Sequence, residues 1–528
     1  SLKVGALSET VTVSADSAVV NLGKTDVGRN LNEREIKNLP LVSRNPYNFA
    51  LLQPGVTGSE NSEFGVPRFG VNGQALRVNY QVDGNTNTQR DRAGLRMMPM
   101  SEVMISEVQV VTSGFAPEFG STTGLVYNAV TPSGTNTFKG DLGYRFRRKS
   151  WSAFPFFFQG VRTDDTRPDN SLKIFTGTAG GPIVKNSLHF YTGTERTYRE
   201  MPRLINSDPG IATQVGVAAQ PGAIDAYQQV LFIIGKVDWQ ATPSQRLTAR
   251  TNLFRNDNPL NAGGGGNTAI ERSVDFNDRM WSHAVQAVST LGASNLNELR
   301  MQVMQRTSRR DSAEGAGTGV SVNINGGVIN GVNNSIQFGM PTGDGELLQQ
   351  RIYQVVNNVT MLRGKHNFKV GVDYSFIDDK RAVPLPATYT FPTVAAYLAA
   401  KSGANPKGYT TFAQTVAIEP EFDMTNAGLS GFIQDDWKIS PRLKLLYGVR
   451  YDLNMYNKGI EGSPYSQTFN RDANNFGPRF GFAWTPDESG KSVIRGSSVV
   501  MYDQMLLAII EQSYENSGDP RRIAVSLA

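Results

Sequence analysis

The segment from His366 to Phe376 alternates apolar and polar residues without a break. Phe368, Val370, Val372, Tyr374 and Phe376 share one parity; Asn367, Lys369, Gly371, Asp373 and Ser375 share the other. Successive side chains of a strand leave opposite faces, so this segment makes a sheet with one apolar and one wet side. The pattern recurs along most of the chain. Leu247, Ala249, Thr251 and Leu253 oppose Arg246, Arg250 and Asn252; Leu443, Leu445, Tyr447, Val449 and Tyr451 oppose Lys444, Gly448, Arg450 and Asp452; Phe476, Phe480, Phe482 and Trp484 oppose Gly477, Arg479 and Gly481. A cation at a strand centre facing lipid would cost roughly 2–4 kcal/mol. The alternation therefore predicts a mainly β fold, a transmembrane antiparallel β-barrel, with these cations turned toward a wet or plugged interior. A soluble β-sandwich with loop insertions is the competing reading, but sandwich strands do not normally carry central arginines on their core face.

Composition narrows the choice. The chain has 528 residues and a net charge of only +5, which favours charged loops and lumen over a nucleic-acid footprint. No zinc-finger or RNA-binding pattern argues for nucleic acid. Cysteine is absent, which removes disulfides and thiolate metal sites. No run of 18 apolar residues predicts a membrane helix. Mean hydropathy of −0.33 looks soluble, yet a barrel hides its membrane signal because half of each strand faces water. The opening Ser1-Leu-Lys-Val-Gly lacks a signal peptide. An exported protein needs one, so a longer precursor is expected.

Texture changes along the chain. Glu9-Thr-Val-Thr-Val-Ser14, within Val4 to Ala15, reads as the last strand of an upstream β-domain covering 1–15. Residues 16–135 read as a compact α+β unit. Asn32 with Glu35 forms a capping-box spacing that opens a helix running to Leu39, and Val78–Val82 and Glu107–Thr112 read as strands. Residues 136–528 read as about thirteen strands. Long connections are expected at Trp151 to Asn170, Glu200 to Tyr227, Ser308 to Leu348 and Lys380 to Met424, together with the run Gly263 to Gly266. Short ones fall at Thr242 to Gln245, Arg363 to Lys365 and Ser440 to Arg442. Short turns at one end and long loops at the other are the barrel habit. The polar stretch before Ala528 reads as unpaired, and with the odd strand count it suggests an unfinished barrel.

Signatures of catalysis fail. Thr485 stands where a Walker turn needs Gly before Gly490-Lys-Ser492, and no Gly-x-Ser-x-Gly elbow occurs. His189, His283 and His366 lack zinc spacing and read as lumenal or interfacial. Asp378-Asp379 and Asp435-Asp436 read as solvated strand ends rather than Ca²⁺ ligands. Neither a metal nor a cofactor is expected. Trp151, Phe154, Phe156, Phe157 and Phe158 read as an interfacial aromatic girdle, with stacking on sugar rings as the alternative.

Three stretches of the N-terminal unit together carry a signature: Val71-Asn-Gly-Gln-Ala-Leu-Arg-Val-Asn-Tyr-Gln-Val-Asp-Gly84, Val108 to Gly120 and Gly124 to Asn136. They resemble the plug domain of TonB-dependent outer-membrane receptors, especially the Oar-like branch. Gly431-Phe-Ile-Gln-Asp-Asp-Trp437, Gly477-Pro-Arg-Phe-Gly-Phe482 and Gly490 to Gly496 resemble barrel strands of that branch. The opening strand is similar to the end of its carboxypeptidase-regulatory-like domain. The resemblance implies a barrel of about 22 strands with the plug in its lumen, of which about thirteen are present here. It also implies a bacterial outer-membrane location, contact with outer-membrane lipid, and energy from a TonB–ExbB–ExbD complex. The implied activity is import of a bulky polar ligand, or, alternatively, adhesion or TonB-linked protein export. The family's TonB box and terminal aromatic residue are not identifiable. By the same resemblance, Asn85, Asn87, Gln89, Arg90 and Arg92 belong to an apical plug loop whose amides and guanidinium groups suit multidentate hydrogen bonding to a polar ligand. Asn72, Gly73, Asp83, Gly84 and Gly120, together with Gly70, are expected to serve the plug's backbone geometry.

Overall fold

The computed structural model describes residues 24–39, 43–59, 68–91, 95–154, 161–205, 207–217, 223–224, 226–262, 265–417, 421–457, 459, 469, 471–487, 492–516 and 522–527. The strand expected at Val4 to Ala15 lies outside them, as do Arg92, Phe156 to Phe158, Gly263 and Gly264.

Thirteen antiparallel strands form one sheet, in a meander from Lys139–Arg147 at one edge to Ile494–Val499 at the other. Side-chain parity is as the alternation demands. Val370, Val372 and Tyr374 are 37, 50 and 42% exposed on the outer face, whereas Arg250, Arg450 and Arg479 are buried on the inner one. The turns at Pro243–Ser244, Gly364–Lys365 and Pro441–Arg442 close one end with two residues each. No helix among the described residues is long and apolar enough to cross a membrane.

Inside the curve sits the α+β unit. Its five-stranded sheet runs Val27–Asn32, Glu107–Ser113, Leu125–Val130, Val78–Val82, Asn85–Thr86, with the second and fourth of these strands flanking the third. The capping box forms as expected: Asn32 and Glu35 satisfy each other's backbone N–H groups, each at 3.0 Å, at the start of the helix Glu33–Asn38. Tyr47, Tyr80 and Tyr127 pack at the unit's centre, with ring centroids 4.9–6.1 Å apart. Contacts from this plug reach wall strands from Glu195 to Arg495, so the sheet wraps round it.

The expected long loops are largely folded, which corrects the sequence reading. Four wall connections and the chain's last described segment contribute to a cap at the long-connection end. Its sheet has the order Val332–Gly339, Ser321–Ile329, Ala387–Phe391, Thr411–Ala417, Arg522–Leu527. Ser321–Ile324 runs parallel to Thr388–Phe391, and the helices Pro209–Val215 and Val394–Lys401 pack on the sheet. Ile211, Val215, Val322, Ile324, Ile336, Phe338, Phe391 and Val394 form its own apolar core. Arg522–Leu527, expected to be unpaired, is an edge strand here, held by pairs such as Ala413 with Ser526. Ile523, Val525 and Leu527 alternate with Arg522, Ala524 and Ser526, a strand pattern that a reading of this stretch as polar overlooks.

Candidate functional site at the plug apex

The plug loop starts at a turn that only certain residues tolerate. Asp83 and Gly84 have φ of 50° and 74°, the geometry of a two-residue hairpin between Val78–Val82 and Asn85–Thr86. A Cβ at Gly84 would collide with the Arg300 guanidinium. Asn72 and Gly73, at 49° and 82°, make a second such turn, and the Asn72 amide donates to the Thr112 carbonyl at 2.8 Å. Gly120 has no room for a side chain beside Arg450, and its carbonyl accepts from Asn79 at 2.7 Å.

Asp83 is a pin. Its carboxylate accepts from the Thr131 backbone N–H at 2.8 Å and hydroxyl at 2.7 Å, and it pairs with Arg250 of the wall. Lys236 donates to the Thr131 carbonyl and hydroxyl at 3.2 and 3.1 Å. Burial alone would raise the Asp83 carboxyl, but the charges of Arg250 and Lys236 and the bonds from Thr131 hold it below its ordinary value of 3.8. Glu118 pairs with Lys369, and Arg44 of the plug reaches Glu195 of the wall at 3.0 Å. Arg450 donates to the Pro117 and Glu118 carbonyls, and Arg479 to those of Phe115, Ala116 and Phe119.

From Asp83 the loop climbs the wall toward the long-connection end. The Thr86 N–H donates to Gln354 at 2.9 Å, and Gln302 donates to the Thr86 carbonyl at 2.8 Å. Asn85 is buried, and its Oδ1 has no hydrogen-bond partner among the described residues. The Asn87 amide is fully engaged within the plug: it donates to the Tyr47 hydroxyl and the Met98 carbonyl and accepts from the Met98 N–H. Gln89 accepts from Arg306 at 2.5 Å, while Arg306 also clasps Asp278 at 3.0 and 2.9 Å. The Arg90 N–H donates to Gln350 at 3.2 Å. Its guanidinium lies in the field of Asp373, Asp503 and Asp452, and burial pulls its pKa down. Asp91 meets Arg381 at 3.1 Å, and Arg381 also holds Asp379 at 2.7 Å. Asn85, Asn87, Gln89 and Arg90 thus sit together at the apex, all under a tenth exposed. Arg92 lies outside the described residues.

Two linked cavities flank this loop. The larger, about 190 Å³, lies between plug residues such as Gln81 and Asn128 and wall residues such as Gln354, Asn358 and Arg450. The smaller, about 30 Å³, lies under Tyr502, Asp503 and Gln504. Arg90, Ser121 and Asp373 line both. Amides, hydroxyls and a few charges dominate, a lining that suits a hydroxyl- or amide-rich ligand. Asp379 and Asp435 are not solvated strand ends: Asp379 is held by Arg381 and Gln350, and Asp435 by His366 at 2.6 Å and Tyr447 at 2.7 Å. Burying a carboxylate requires such partners. His189 contacts Asn136 at 2.9 Å, and His283 contacts Thr251 at 3.0 Å.

Sequence reasoning missed Arg381, Gln350 and the helix Leu507–Asn516. Inward parity on a recognised strand marks Arg381 only if the strand is extended to Ala382. For the helix, Leu507, Ile510 and Tyr514 stand at helical spacing, and all three are buried.

Residues 130–224 and 225–522 match the family described as outer membrane beta barrel domain. The TonB-dependent transporter Oar of Myxococcus xanthus is 25% identical, over 98% of this chain and 55% of that protein. Among solved structures, the outer membrane transporter YddB of Escherichia coli aligns with a TM-score of 0.66 at 14% identity, over 94% of this chain and 63% of its own. A mutant ferric enterobactin receptor, PfeA, of Pseudomonas aeruginosa in complex with enterobactin aligns with a TM-score of 0.58 at 14% identity, over 93% of this chain and 65% of its own. The chain spans about half the length of the curated relative it matches.

Proposed function

The chain belongs to the outer membrane beta barrel domain family, and from that premise we propose that it is a TonB-dependent transporter importing a bulky polar ligand by energised displacement of its plug. The division proposed is an upstream domain ending at 15, a plug over 16–135 and a barrel over 136–528. One observation carries the reading: a folded α+β unit fills the lumen and, beside an apolar cluster it shares with wall residues such as Phe232, Met280 and Ile352, is held there by ion pairs and amides. The ion pairs and amides exchange for water at small net free energy, so the work of displacing the plug goes chiefly into the apolar part of the seat. Ligand contact falls to Asn85, Gln89, Arg90 and Arg92, with Asn87 holding the loop in shape. The ligand class is a siderophore, an oligosaccharide or a peptide. The outer membrane has no ATP, and the work comes from the TonB–ExbB–ExbD complex in the inner membrane.

The test is deletion of the gene, followed by uptake of labelled ferric siderophores, oligosaccharides and peptides. Loss of one class, restored by the gene but not by a variant carrying Thr86→Cys and Gln354→Cys under oxidising conditions, supports import. Unchanged uptake of all three sinks it. A second reading, adhesion or protein export, draws on the cap, whose independent core presents a folded surface beyond the barrel. Normal uptake with lost surface attachment or a missing secreted protein supports that reading.

A further inference from the structure

The stretch 501–516 follows the last wall strand and does not stay at the rim. It enters the mouth of the barrel and lies on the plug. Asp503 pairs with Arg77 of the plug at 2.8 Å. The Leu507 and Ala508 N–H groups donate to the Arg90 and Asp91 carbonyls at 3.1 and 3.0 Å. These are first-turn donors of the helix Leu507–Asn516, which a helix cannot satisfy internally. Tyr456 donates its hydroxyl to the Met505 carbonyl at 3.1 Å. Leu507, Ile510 and Tyr514 are 1, 0 and 2% exposed and join the apolar cluster that plug and wall share, with Tyr514 edge-on to Phe422 at 5.8 Å. Tyr502, Asp503 and Gln504 roof the smaller cavity over Arg90. Further along the chain, Arg522–Leu527 adds the edge strand to the cap.

We infer that residues 501–516 are a strap that closes the approach to the plug apex, and that a ligand reaches Arg90 only when the strap is displaced. This rests on the apex being the ligand contact. The strap's backbone takes the acceptors the apex presents, so strap and ligand are alternatives at one place. Because the cap's edge strand Arg522–Leu527 follows the strap closely in sequence, a ligand that loosens that strand also loosens the strap. Binding outside and unblocking of the plug are then one event. The strap is mainly apolar underneath and polar where it meets Arg77 and Arg90, so the competing ligand carries groups that replace two backbone donors and one carboxylate.

The chain has no cysteine, so one introduced thiol reports without background. Ser375→Cys, a near-isosteric change, places it in the small cavity under the strap. Labelling by a membrane-impermeant thiol reagent is followed on intact outer membranes, with neither ligand nor TonB required. Adding Ile510→Asp puts a carboxylate into the apolar contact and is expected to raise the labelling rate by at least about tenfold through local opening. Heat-modifiable mobility of the barrel should stay unchanged. If that mobility is lost, Ile510→Ala is read instead and should give a smaller rise in the same direction. Equal rates in the strap variant and its parent, fast or slow, overturn the strap. Failure of the import reading shows separately, as unaltered uptake in the deletion strain while labelling still responds to Ile510→Asp.

Discussion

The plug seat mixes polar and apolar contacts, whereas the cap core is apolar. At the seat, wall and plug share an apolar cluster and also meet through charges and amides: Asp83 with Arg250, Asp91 with Arg381, Glu118 with Lys369, Thr86 with Gln302 and Gln354. In the cap, segments from separate connections meet through Ile324, Ile336, Phe338 and Phe391. Apolar burial is non-directional and favours staying together. Paired charges are directional, and a hydrated partner replaces them at little net free energy, provided both are released at once. The seat therefore carries an exchangeable polar component that the cap core lacks.

The contrast is sharpest when one charge is removed and the other stays. Arg381→Ala leaves Asp91 and Asp379 buried together without their shared cation, and should destabilise the seated plug by about 3–5 kcal/mol. The checking measurement is protease sensitivity of the plug in denaturant, and insensitivity to the change would break the comparison. Ile336→Ala in the cap should cost about 2–5 kcal/mol, but only locally: hydrogen exchange should speed up in the cap sheet and not in the wall. Acid separates the regions again. The Asp83 carboxyl is depressed in the folded state, so its contribution is fully present above its ordinary 3.8 and is lost as pH falls through the depressed value. Plug release followed by tryptophan-independent proteolysis should show this step, the apolar cap core should not, and Asp83→Asn should abolish it. The smallest effect is expected on the plug's exposed face, where Lys37→Ala breaks the pair with Glu33 and should shift stability by under about 0.5 kcal/mol.

Much of this was legible where the signal is local. Alternation placed the wall strands and the inward arginines; Asp83-Gly84 and Asn32 with Glu35 announced their turn and cap. The cap was hidden for a physical reason. Val322 and Ile324 alternate, and Asn330-Gly331, at φ of 51° and 79°, is a strong hairpin signal. Nothing local says that Ser321–Ile324 pairs in parallel with Thr388–Phe391 across a wall hairpin. The loop Asn85–Arg90 stands out in the sequence only as a candidate, through its resemblance, and its burial under Leu507 and Ala508 depends on where a distant helix docks. Position 87 illustrates the limit: an Asn in a polar loop looks available, yet its amide closes on Tyr47 and Met98.

The cap gathers pieces from Ile211 to Leu527, and the strands between them lie in the wall. Contacts so distant along the chain form late. An antibody raised against a surface shared by Val332–Gly339 and Thr411–Ala417 would bind finished molecules and ignore partly inserted ones, making that surface a stamp of completed biogenesis.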